Sequence, residues 1–114
     1  MEPTDQPEKN RRTSRRRSAK RSAQVVCFAN GLGLGPNVAV SLLDVSESGA
    51  RIKVKTLLAP RQEVELDLCG IGHRRSVKLI SNVVWCEPAT DGTFLVGVKF
   101  QRYLTYHDLQ ELGN

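Results

Sequence analysis

The chain has 114 residues, 39% of them hydrophobic and 25% charged, with a net charge of +5 and three cysteines. This is the size of one small domain, and no stretch approaches the roughly 20 apolar residues of a membrane-spanning helix. Cys27, Cys69 and Cys86 are far apart and lack CxxC spacing, which excludes a disulfide framework and reads as reduced, partly buried thiols.

The charge is concentrated at the start. Residues 1–24 carry eight Lys/Arg against three Asp/Glu, while residues 25–114 carry nine of each. So polar an arm cannot bury enough surface to offset its chain entropy, and it is expected to be disordered without a ligand, residues 1–14 as a tail. It has no apolar core of a signal peptide, which predicts a cytoplasmic protein. From residue 24 the chain reads as β. Gln24–Ala29 is a short apolar run, and Gly31-Leu-Gly-Leu-Gly-Pro36 is a connecting loop. Val38, Val40 and Leu42 alternate with Ala39 and Ser41, and Ala50, Ile52 and Val54 alternate with Arg51, Lys53 and Lys55. This period of two predicts half-buried strands. Residues 63–68 alternate with an acidic outer face, which suggests a cross-strand neighbour for the basic one.

A long strand is predicted over 75–86, with Val77, Leu79, Val83 and Trp85 on one parity. Pro88 and Asp91-Gly92 mark a turn, and residues 93–100 alternate again. Thr105 followed by Asp108 has capping-box spacing, which predicts a helix over 105–112 stopped by Gly113. The expected fold is all-β: a small six-stranded antiparallel barrel over 24–101 with a short C-terminal helix, the foldable unit being 15–112.

Chemistry has few candidates. Ser46 and Ser48 lack a spaced histidine base, so no enzyme is predicted. His73 and His107 are not paired with a cysteine at metal spacing, so no metal is expected. The Gly31–Gly35 loop lacks both the GxGxxG order and the Lys-Ser/Thr of a phosphate loop. What remains is the turn Asp44-Val-Ser-Glu-Ser-Gly49 and the cluster Arg15-Arg16-Arg17 with Arg21. Asp, Ser and Gly are ordinary turn formers. Brought together with arginine forks, they suit a small anionic ligand with flat hydrogen-bonding edges, such as a guanine nucleotide.

Asp44-x-Ser46-x-x-Gly49, preceded by Arg17-x-x-x-Arg21 with Arg16 adjacent, resembles the paired motifs of the PilZ domain family of cyclic di-GMP receptors. Gly97-Val-Lys-Phe100 is similar to that family's strand ending, so the resemblance covers roughly residues 15–112. Arg11/Arg15 and Arg12/Arg16 also satisfy the RxxxR spacing; Arg17/Arg21 is preferred because Arg21 lies closest to the first strand. The resemblance implies a receptor without cofactor that binds cyclic di-GMP through Arg16, Arg17, Arg21, Asp44, Ser46 and Gly49, with Trp85 flanking the base. It implies signalling by ordering of residues 15–23 and altered contacts with a downstream protein. The alternatives are a PilZ-type adaptor that binds no nucleotide and a basic-armed nucleic-acid binder, the latter not expected to be the partner class here.

Overall fold

A computed structural model describes residues 16–70 and 76–113. The expected tail over 1–14, Arg15 and His73 lie outside the described residues. Seven strands form one antiparallel sheet: β1 (Arg17–Ser18), β2 (Gln24–Phe28), β3 (Ala39–Val45), β4 (Gly49–Val54), β5 (Glu63–Cys69), β6 (Val77–Pro88) and β7 (Phe94–Phe100). Their order is β1-β3-β4-β7-β6-β5-β2. The sheet curls around a core that includes Ile52, Leu66, Leu68, Leu79 and Val96, all fully enclosed. Burying each such side chain contributes roughly 1.5–3 kcal/mol. The alternation in β4, β5 and β7 supplies this inward face, as their sequences predict. Helix α1 (Tyr106–Leu112) adds Leu109 and Leu112 to the same core. Its N-cap Thr105 accepts a hydrogen bond from the Asp108 N–H at 3.1 Å, which satisfies one of the amides the first turn leaves unpaired.

The predicted closed, six-stranded barrel is corrected to an open, curled sheet of seven strands. Between β2 and β3 no ladder forms. One backbone bond crosses the gap, Val38 N–H to Cys27 O at 2.8 Å. The Asn37 Oδ1 accepts from both Cys27 N–H and Ala39 N–H at 2.9 Å. Pro36, just upstream, has no N–H with which to extend a ladder.

The seventh strand comes from the basic arm. Arg17 and Ser18 pair with Val45 and Asp44, Ala19 N–H donates to Leu43 O at 3.0 Å, and Lys20 N–H donates to Leu112 O at 2.9 Å. From Arg17 onward the arm is therefore held between β3 and the end of α1, where disorder was expected. Its backbone hydrogen bonds and the packing of Ala19 and Ala23 on the core supply what its side-chain composition does not show. The expected pairing of the basic and acidic strands is also absent: β4 lies between β3 and β7, and β5 between β2 and β6. Charges on a water-facing side are screened and do not select partners against buried packing.

Cys27 lies fully enclosed in β2, and burial pushes its thiol from 9.0 up to about 12. The unfolded chain releases this proton near pH 9 and the folded chain only near pH 12, so its contribution to stability is complete below pH 9 and is lost as pH rises toward 12. An aqueous disulfide reagent at pH 8 is expected to leave Cys27 untouched in the folded protein and to modify it in urea. The decline in urea midpoint above pH 9 should be shallower in Cys27→Ala.

Candidate functional site

Two irregularities in the sheet assemble the site. In β3 the register shifts between Ala39 and Ser41 and again between Leu42 and Asp44, while Leu42 pairs with Ile52 and Val45 with Ala50. Each shift inserts one residue, as in a β-bulge. Strict alternation would put Asp44 on the core side with Leu42. The inserted Leu43 turns it to the outer face, opposite Arg51. For the same reason Val40 is half exposed and does not share the core side with Leu42 as its parity predicts.

In β6 the shift falls between Val83 and Trp85: Val83 opposes Val98 and Trp85 opposes Gly97. Val84 is the inserted residue and is 57% exposed. Trp85 is thereby turned from the core-facing parity of Val83 to the outer face. Its indole lies over Gly97, where an added Cβ would come within 2.3 Å of Nε1. Only a glycine leaves room for the ring there.

Asp44 is the centre of the charged half. Its side chain is 7% exposed, and its Oδ2 accepts a hydrogen bond from Arg51 Nε at 2.6 Å and forms an ion pair with Arg51 Nη2, also at 2.6 Å. Its Oδ1 faces Arg16 Nε at 3.3 Å as an ion pair without hydrogen-bond geometry. Arg16 itself is 60% exposed, so most of its guanidinium remains open to a ligand.

The turn from Ser46 to Gly49 is built by its own polar groups. Ser46 N–H donates to Gly49 O at 2.8 Å. The Ser46 hydroxyl accepts from Gly49 N–H at 3.2 Å and from Ser48 N–H at 3.3 Å. Phe100 N–H to Ser48 O and Leu104 N–H to Glu47 O, both 2.8 Å, fasten the turn to the end of β7. Gly49 meets a close approach: a Cβ there would lie 2.4 Å from Val98 O.

These residues surround a shallow groove of about 160 Å³, lined by Arg16, Ser46, Ser48, Gly49, Trp85 and Lys99 among others. Sites that enclose drug-sized ligands run to roughly 300–1,000 Å³, so a ligand here lies on an open surface. Of the residues singled out in the sequence, Arg16, Asp44, Ser46, Gly49 and Trp85 come together. Arg17 and Arg21 do not join them. Arg17 pairs with Val45 on the opposite side of β1, with its Cβ and Cδ near Gly113. Arg21 is exposed in the turn after β1. Arg51 and Lys99 were missed because both fall at outward positions of regular strands, where a basic residue is ordinary. The signal available for Arg51 was its place one hairpin across from Asp44.

Residues 10–114 match the family model described as PilZ domain. No curated protein matches the chain.

Proposed function

The chain belongs to the PilZ domain family, and on that premise we propose that it binds cyclic di-GMP in the groove between Arg16, the 44–49 hairpin and Trp85. The observation that carries this reading is the pairing of a buried carboxylate with Arg16 beside an outward-turned indole. Guanine offers O6 and N7 as adjacent acceptors, which an arginine fork matches with two hydrogen bonds. Asp44 holds Arg16 and Arg51 in place, so less side-chain freedom is lost on binding. The indole offers a face on which a purine stacks. Ser46 and Gly49 shape the hairpin. A bond from the Ser46 hydroxyl to phosphate or base redirects the proton it now gives to Gly49 O at 3.3 Å and leaves both turn amides in place.

Arg16 sits in the groove, so the Arg12/Arg16 register accounts for the motif more directly than Arg17/Arg21. Arg17 and Arg21 reach the groove only if β1 shifts along β3. The signal then arises as the arm, held between β3 and the end of α1, shifts across the groove with Arg16 still braced by Asp44, changing the surface met by a downstream protein. No bond is made or broken.

Titration calorimetry tests the reading, with the single tryptophan as a second readout. Wild type should bind cyclic di-GMP with a change in Trp85 emission. Arg16→Ala should weaken binding by tenfold or more, about 1.4 kcal/mol, and Arg17→Ala and Arg21→Ala by less. Neither heat nor emission change at tens of micromolar ligand would reject the function. Full loss in Arg21→Ala with Arg16→Ala unaffected would restore the Arg17/Arg21 register.

A further inference from the structure

We propose that Lys99 supplies the cationic contact that reads the ligand's phosphate charge, an inference that rests on the cyclic di-GMP reading above. Lys99 stands on the outer face of β7, exposed, in the lining of the same groove as Arg16, Ser48 and Trp85. Its cross-strand neighbours are Gly49 on β4 and Asn82 on β6. Along its own strand the same face carries Gly97 and, just past the strand end, Gln101. None of the four is acidic.

The carboxylate that follows Asn82 in register across the sheet is already engaged. Glu63 pairs with Asn82 in register, and its Oε2 accepts from Gln101 Nε2 at 2.9 Å. The same Gln101 amide donates to Asn82 Oδ1 at 3.1 Å. Among the described residues the ion pairs fall on Asp44, Asp91 and Glu111, and Lys99 takes part in none. Lys53 marks the contrast. It lies outward on the neighbouring strand and is held by Asp91 at 3.1 Å.

An unpaired lysine on an open strand is most simply a solvated charge. Three features separate Lys99 from that case. It sits at the groove lined by Arg16, the exposed partner of the buried carboxylate, and Gly49 and Gly97 leave no side chain of their own beside it. Among the described residues it is also the one cation lining the groove that no carboxylate shares, since Arg16 is paired with Asp44. An ammonium acts as a compact point charge with rotatable donors, whereas a guanidinium favours flat edges. The two cations therefore divide the ligand between them, Arg16 taking a guanine edge and Lys99 a phosphate.

The test is titration of the full chain with cyclic di-GMP, comparing wild type, Lys99→Met, Lys99→Gln and Lys99→Arg at about 50 mM and about 500 mM salt, where screening lengths differ about threefold. Both neutral variants should bind roughly tenfold more weakly at low salt, about 1.4 kcal/mol. That deficit should shrink at high salt, and Lys99→Arg should bind within a few-fold of wild type. Unchanged binding in the neutral variants, or a deficit that ignores salt, overturns the role of Lys99. Absence of binding by wild type overturns the underlying reading instead. The urea midpoints of all four proteins report whether a loss comes from altered folding, and a neutral variant with both a lowered midpoint and a salt-independent deficit counts against the proposal.

Discussion

Gly49→Ala is expected to destabilise the protein by about 3 kcal/mol, the upper end of what forced overpacking costs. The added methyl would lie 2.4 Å from Val98 O and 3.5 Å from Lys99 Cα. Both are backbone atoms of the central strand β7, so no rotamer change relieves the clash. The hairpin would have to lift from β7, and it is tied there by Phe100 N–H to Ser48 O and Leu104 N–H to Glu47 O. Gly92→Ala is the control. Gly92 has φ +87° and nothing within 4 Å of an added Cβ, so the change carries only the left-handed backbone penalty of about 1–2 kcal/mol. Thermal unfolding of the two variants should show the larger drop for Gly49→Ala. Gly49 is not among the positive-φ glycines, so a drop no larger than that of Gly92→Ala would mean that the hairpin lifts from β7 at little cost.

Arg51→Met is expected to cost about 1–3 kcal/mol, because it leaves a buried carboxylate short of its hydrogen-bond donors. Asp44 is 7% exposed and draws both its 2.6 Å contacts from Arg51. The Arg51 side chain is itself 40% exposed, and solvent screening keeps the cost well below that of a fully buried pair. Removing both charges in Arg51→Met/Asp44→Leu should recover part of the loss, since an apolar pair of similar shape carries no desolvation penalty. A double-mutant cycle by urea denaturation measures the coupling. Additive single effects would show that Arg51 contributes nothing to holding Asp44.

The strands β4, β5 and β7 and the Thr105 cap are legible in the sequence because alternation and capping are local properties. The two features that build the site are not. Leu43 and Val84 are inserted residues, and an inserted apolar residue in an apolar strand leaves no mark on a period-two pattern. Counting parity therefore sends Asp44 and Trp85 to the core, and only the register with β4 and β7 turns them outward. Gly97 was a usable clue: a glycine in mid-strand signals that something large lies close, and Trp85 is what lies there. Strand β1 was hidden for a different reason. Its two residues are Arg17 and Ser18, and their place is fixed by backbone bonds to β3, which no side-chain property announces. Sequence distance from the first strand pointed to Arg21, whereas the arginine that meets Asp44 is Arg16, just before β1.

A sheet that stops short of closing keeps two edges, and unpaired edges are templates for other chains. This one covers both with little material. The two residues of β1 shield one side of β3, and a single amide oxygen, Asn37 Oδ1, occupies two N–H groups where β2 and β3 meet. The arm thus covers an edge of β3 as well as carrying Arg16. Any movement of β1 toward a ligand uncovers part of β3 for as long as it lasts, and the exposed stretch, Leu43 to Val45, is the one that carries Asp44.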